Sequence, residues 1–313
     1  NRRVGIGAML DYLYSKGMYQ CQSSKDFTFG LSGYYRGDRY SLQAFYDHYN
    51  LLNKENGGIT DARYITDPAQ LQGGVSKIEA LSIPVNLTDA HSRLSGQHLM
   101  VNQAYSVGYW RTQVVNDTLS REVYVPVTRF IWTLDFASSK HKFINGNRRE
   151  ADEFWRDTYF NSDATRDVAY YSDFSNTLGV SMVEGFRSWA KFGLSAYATY
   201  SLRHYAVNTL LPDGDQGDIP PSGDESLTPL PDGFVPASRK NQSLLWVGAQ
   251  LTKQQGSLIT YEADFKMGMI GDVAADIDLS GHMQSRFRLL GDTVRIDARA
   301  HFYNRAQPWL LQN

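Results

Sequence analysis

Between residues 272 and 302 the side chains sort by parity. Asp272, Asp276, Asp278, His282, Gln284, Arg286 and Arg288 occupy even positions, whereas Val273, Ala275, Ile277, Leu279, Met283, Phe287 and Leu289 occupy odd ones. A period of two places successive residues on opposite faces of a β-strand. After a turn expected at Gly291-Asp292 the pattern resumes with parity exchanged, as a two-residue hairpin loop requires: Arg295, Asp297, Arg299 and His301 against Val294, Ile296, Ala298, Ala300 and Phe302. One face is ionic and the other oily. The first stretch is about seventeen residues long, beyond the five or six of an ordinary strand and enough to cross a bilayer when tilted.

The same alternation recurs along the chain. It begins with Val4, Ile6, Ala8 and Leu10, continues with Phe27 to Tyr35 and Tyr40 to Tyr46, and returns at 99–109, 130–136, 174–182, 192–202, 245–251 and 259–267. With the opening pair this predicts about eleven strands. Within these segments no Asp, Glu, Lys or Arg falls on the apolar parity. Such exclusion is expected of a face that meets lipid, where a basic residue near the midplane costs about 2 to 4 kcal/mol.

Alternation alone does not say which face is outside, because a soluble sandwich alternates as cleanly. Connection lengths separate the cases. Tight turns are expected at 36–39, 184–189, 253–256 and 290–293, and long excursions near 51–97, 137–173 and 204–241; the segment 113–124 reads as an oversized connection on the turn side. One end made of turns and the other of loops belongs to outer-membrane barrels. The expected fold is therefore all-β: a transmembrane, antiparallel, up-and-down β-barrel in one region spanning 1–313. An odd strand number and a far end, Trp309 to Asn313, unlike a closing strand predict that the chain is part of a larger barrel.

Composition narrows the function classes. A net charge of −2 gives no case for a nucleic-acid partner. The lone Cys21 can form no internal disulfide, and the seven His are dispersed without zinc-ligand spacing, so neither metal nor cofactor is expected. The run Asp213 to Asp218 has carboxylate spacing resembling a calcium loop but lacks the closing acid and is followed by Pro220-Pro221, which favours a solvated loop. There is no phosphate-binding glycine loop and no nucleophile elbow, and carboxylates on a barrel wall are too common to argue glycosidase chemistry; no enzyme activity is expected.

Three stretches carry a family resemblance. They are Tyr-Arg-Gly-Asp-Arg-Tyr at 35–40 leading into Asn-Lys-Glu-Asn-Gly-Gly-Ile-Thr-Asp at 53–61 and Arg-Tyr-Ile-Thr at 63–66; Val-Pro-Val-Thr-Arg-Phe at 125–130; and Glu-Gly-Phe at 184–186 with Trp-Ala-Lys-Phe-Gly-Leu at 189–194. In these the chain resembles the β-barrel porin family of Bacteroidota, over most of 1–205 and more loosely beyond. The resemblance implies an outer-membrane location and a barrel longer than this chain, and it implies no catalytic residues.

The residues expected to face the barrel interior are Asp11, Arg36, Arg39, Asp47, Arg129, Asp135, Lys191, Arg203, Glu262, Asp264, Lys266, Asp272, Asp276, Asp278, Arg286, Arg288, Arg295, Asp297 and Arg299. The hairpin is expected to set Arg286 opposite Asp297 and Arg288 opposite Arg295, to bring His282 and His301 face to face, and to group Asp272, Asp276 and Asp278 beside Glu262 and Asp264. That arrangement would put acids toward the loop end and arginines toward the turn end. Small residues such as Gly5, Gly7, Gly30, Ser32, Thr177 and Ser181 leave room inside, and near-equal acids and bases predict no ion selectivity. The expected function is a porin-like outer-membrane channel for passive diffusion of small polar solutes, with lipid and those solutes as partners. The alternative is a scaffold barrel that partners other outer-membrane proteins in a secretion, barrel-insertion or nutrient-uptake assembly. A soluble β-rich binding protein is the third reading.

Overall fold

The structure, a computed structural model, describes residues 3–71, 73–74, 77–116, 119–155, 165–207, 238–256 and 258–311. The Asp213 to Asp218 run and most of the expected 204–241 loop lie outside them. The described strands are β1 (Val4–Ser15), β2 (Ser24–Arg36), β3 (Tyr40–Glu55), β4 (Ala90–Asn116), β5 (Leu119–Asn145), β6 (Thr165–Met182), β7 (Gly193–Val207), β8 (Ser238–Lys253), β9 (Ile259–Ile270), β10 (Ile277–Leu289) and β11 (Asp292–Asn304). All eleven form one sheet in sequence order, every neighbour antiparallel, as an up-and-down wall requires. Short helices α1 (Arg63–Thr66), α2 (Pro68–Leu71) and α3 (Arg148–Phe154) lie in the loops. None is long and apolar enough to cross a membrane, which says nothing of strands.

The sheet curls around its polar face. In a flat two-sided sheet both faces would be equally open, but on β7 burial alternates with parity: Ser201 is 2% exposed and its neighbour Leu202 is 44% exposed. Leu178, Phe130, Leu279, Ile296 and Phe302 are likewise exposed on the apolar side. So large an apolar band is unsustainable in water and fits a lipid surroundings. Two polar-face tyrosines lie flat across an intervening strand. Tyr197 of β7 passes over Gly248 of β8 to reach Asp264 of β9 at 3.1 Å, and Tyr49 of β3 passes over Gly96 of β4 to reach Ser139 of β5 at 3.2 Å. A Cβ at either glycine would come within 2.5 Å of the tyrosine hydroxyl, so the close approach requires glycine there.

Several boundaries differ from the sequence expectation, each for a local reason. β10 begins at Ile277, because Gly271 (φ 83°) and Ala275 (φ 69°) close a tight connection over 271–276. Asp272 and Asp276 therefore sit in a loop, and the alternation that runs through them is not that of a strand. The following hairpin turns at Leu290 (φ 53°) and Gly291 (φ 95°), both in the left-handed region that a type I′ turn needs. Leucine is an unusual first residue for such a turn. Arg286 consequently faces Arg295 and Gln284 faces Asp297, and Arg288 faces Thr293. A shift of two leaves each side chain on its face, but it removes the expected Arg286 to Asp297 pairing. His282 pairs with Arg299 and His301 with Ser280, so the two imidazoles do not meet.

The segment 113–124 is paired strand up to the tip: β4 and β5 are 27 residues each. With the end of β3 and the start of β6, they take 51–55 and 90–97 from the expected 51–97 loop and 137–145 and 165–173 from the expected 137–173 loop. These extensions escaped detection because their outward parity turns polar beyond the oily band, as at Arg93 and Lys54, so apolar alternation stops before the strand does. Pro126, which cannot donate to a ladder, sits where the β4–β5 register slips between Val107 and Gly108. At the turn end, the Tyr35 and Tyr40 rings are 6.0 Å apart and Phe186 lies 5.2 Å from Trp189. This collection of rings matches the aromatic belt of a membrane interface.

Candidate functional site on the polar face

The polar face carries its charges in paired sets. On β3 to β5, Asp47 and Asp135 flank His98, whose Nε2 is 2.8 Å from Asp135 and whose Nδ1 is 3.7 Å from Asp47. The ring also meets Phe45 edge-on at 4.9 Å. His98 was not among the expected site residues. Its partners lie on two different strands, and only the register reveals that they converge. On β6 and β7, Arg203 Nε donates to Asp173 at 2.7 Å, and Asp173 also accepts from Tyr171 and Ser175. Asp297 gathers His282 at 3.2 Å, Arg299 at 3.3 Å and Gln284 at 2.9 Å.

The expected acidic cluster does not form. Asp278 stands opposite Lys266, Ser280 opposite Asp264 and His282 opposite Glu262, so basic and neutral side chains interleave the carboxylates. Asp278 pairs with His301 and Arg305, Glu262 accepts from Gln250 at 2.8 Å, and Asp264 accepts from Tyr197. Arg286, Arg288 and Arg295 do collect near the 290–291 turn. Asp11 and Arg129 lie within strands, opposite Thr28 and Ser181. Arg36 ends β2 with its guanidinium 4.9 Å above Tyr34. Arg39 and Lys191 belong to short connections rather than to the wall, Arg39 lying 5.4 Å above Tyr124.

Two structures cover the polar face at the loop end. The first is built from 56–89 and α3. Asn-Gly-Gly at 56–58 starts it: Gly57 (φ 63°) turns back beneath Leu87 and Phe154, where a Cβ would come within 3.0 Å of both. Ile83, Val85 and Leu87 are buried, Thr88 bonds Glu150 of α3 at 2.7 Å, and Trp155 packs on Phe143, whose parity is that of Asp135. The cover therefore bears on the inner side of the wall. Beyond its core, Asp61 is gripped by the Arg63 guanidinium, which holds its carboxyl below the usual range.

The second cover is the segment after β11. Ala306 N–H donates to Asp276 at 3.0 Å, Arg305 pairs with Asp278, and Trp309 packs at a tilt against Tyr205 with ring centroids 5.6 Å apart. A cavity of about 430 Å³ lies beneath, lined from β7, β8, β9, the 271–276 loop and this segment. At its rim Asp272 is bonded by Lys240 and Gln242, and the Lys240 ammonium lowers its pKa. Among the described residues no three His, Cys, Asp or Glu side chains converge as a metal site would need.

A family model described as "Putative porin" matches residues 1–313. The chain belongs to that porin family. No curated protein matches it. Among solved structures, the ferric-catecholate import receptor Fiu from E. coli K12 in its open form is similar over 96% of this chain and 46% of that one, at 11% identity and a TM-score of 0.46. The chain thus spans less than half the length of that structure. Membership of the porin family places the chain in the outer membrane, where the exposed oily band of the sheet has its solvent and the paired charges of the other face are kept from hydrocarbon.

Proposed function

We propose that the polar face lines a water-filled passage through which small polar solutes diffuse passively, the wall being formed by the strand residues named above. The observation that supports this most is the sheet's division into an exposed apolar side and an inward side of hydroxyls, amides and mutually paired charges. Inward groups of this kind tolerate water and offer polar solutes a succession of weak partners, as permeation needs. Because carboxylates and cations are interleaved over most of the face, with arginines collected only by the 290–291 turn, the passage as a whole should select little by charge. It needs no catalytic group, and the reading is of a channel rather than an enzyme.

A scaffold barrel within a larger outer-membrane assembly is the second reading, favoured by the two covers that narrow the loop end. Planar-bilayer recording of the purified full-length protein separates them. Stable open steps at neutral pH support diffusion; a silent bilayer together with co-purifying outer-membrane proteins supports the scaffold and refutes the channel.

A further inference from the structure

We infer that the cavity beneath residues 305–309 is a binding subsite for a small organic anion, a carboxylate or phosphate monoester on a compact apolar ring. This deepens the channel reading, since it rests on the polar face meeting water. Four cations border the cavity, Arg203 on β7, Lys240 on β8, Lys266 on β9 and Arg305 beyond β11, together with the carboxylates of Asp272 and of Asp276, which accepts from the Ala306 N–H. Three of them have dedicated acids: Arg203 holds Asp173, Lys240 holds Asp272, and Arg305 holds Asp278. Lys266 differs. Asp278, its register partner, is occupied by Arg305 and His301, and Asp264, two residues along its own strand, accepts from Tyr197.

Among the described residues the Lys266 ammonium therefore has no carboxylate within ion-pair distance, and its close contact is the Trp246 ring, 4.5 Å from the nitrogen. The charges of Arg203 and Arg305 also act on it, opposed by those of Asp278 and Asp264. A half-buried ammonium whose neighbouring carboxylates are all taken by other donors is a poor arrangement for an empty protein and a good one for a guest with two or three acceptor oxygens. The rest of the cavity fits the guest's body. Tyr205 and Trp246 are each only 6% exposed, and Trp309 packs against Tyr205 to give an aromatic wall next to the cations. Phosphate or carboxylate alone would leave those rings unused, whereas a neutral ring would leave Lys266 unanswered.

The test uses the detergent-purified full-length protein with benzoate, phenyl phosphate and the neutral benzamide, read by calorimetry. Both anions should bind at least tenfold more tightly than benzamide, with affinity falling as salt rises. Lys266→Met keeps a chain over Trp246 and removes the charge; it should weaken both anions about tenfold and leave benzamide unchanged. Lys191→Gln, at the opposite end, serves as the control and should bind like the parent. Equal binding of benzoate, phenyl phosphate and benzamide by the parent protein overturns the inference even if the variant fails to fold, and so does undiminished anion binding by a folded Lys266→Met protein. Binding without conductance would sink the channel reading and leave the subsite standing; conductance without binding would do the reverse.

Discussion

The two covers at the loop end close over the same kind of wall by different physics. Over β3 to β5 the contact is dry: Ile83, Val85 and Leu87 are buried, and Trp155 meets both Phe154 and Phe143 edge to face. Over β7 to β9 it is ionic and aromatic, with Arg305, Asp276 and Trp309 making the attachment and a cavity left beneath. The apolar cover is held by hydrophobic burial that does not depend on salt, and it fills its own space. The ionic one is held by contacts that water and salt can compete for, so it is the more readily lifted. A shared wall thus carries one cover held by apolar burial and one held by polar and aromatic contacts.

The largest test of that contrast is Leu87→Ala. Removing a fully buried leucine costs about 2 to 5 kcal/mol, so hydrogen exchange should speed up across 56–89 while β7 to β9 keep their protection. Equal acceleration beneath Trp309 would show that the covers are one unit. Leu202→Arg should come next. It puts a guanidinium on the outward band behind the ionic cover, at a cost of about 2 to 4 kcal/mol near the midplane, read as a lower urea midpoint in reconstituted vesicles. An unchanged midpoint would mean that this face does not meet lipid.

Smaller effects sharpen the picture. Tyr197→Phe removes the hydroxyl that occupies Asp264 and should lower stability by about 1 kcal/mol. It should also strengthen the hold of Asp264 on Lys266, reducing benzoate binding; unchanged binding would mean that Asp264 does not compete for the ammonium. The smallest effect is at Asp272. Its pKa is lowered by Lys240, so its stabilising contribution is complete above the ordinary carboxylate range and is lost as pH falls through the depressed value. The group is largely exposed, which limits the loss to under about 1 kcal/mol. Hydrogen exchange of 271–276 between pH 5 and 3 should show it, with the dry cover unaffected.

Alternation made the strands and their order legible, because a face that meets lipid tolerates no charge and so writes its period into the sequence. It failed where lipid ends. The polar outer parts of β4 and β5 carry no such period, and the run through Asp272 and Asp276 has the period without the strand. Register is weakly written as well: one leucine at the first turn position moved Arg286 from Asp297 to Arg295. Site residues were visible one by one, yet the company they keep was not. His98 meets Asp47 and Asp135 only once three strands are aligned, and nothing in the sequence of 305–309 announces that it folds back over β7. The Asn-Lys-Glu-Asn-Gly-Gly run was visible as a motif, while its task, letting Gly57 pass under Leu87 and Phe154, belongs to tertiary packing.

The β4–β5 hairpin is far taller than the bilayer is thick. With 27 residues in each arm and about 3.3 Å of rise per residue, it measures roughly 90 Å along the strand, against an oily band about 25 Å high. Even steeply inclined, it stands like a mast through a deck, its foot in one aqueous compartment and its head in the other. Whatever touches the foot is joined to the head through one paired ribbon, whose ladder of backbone hydrogen bonds slips by a residue beside Pro126, so a push at either end meets its softest point there.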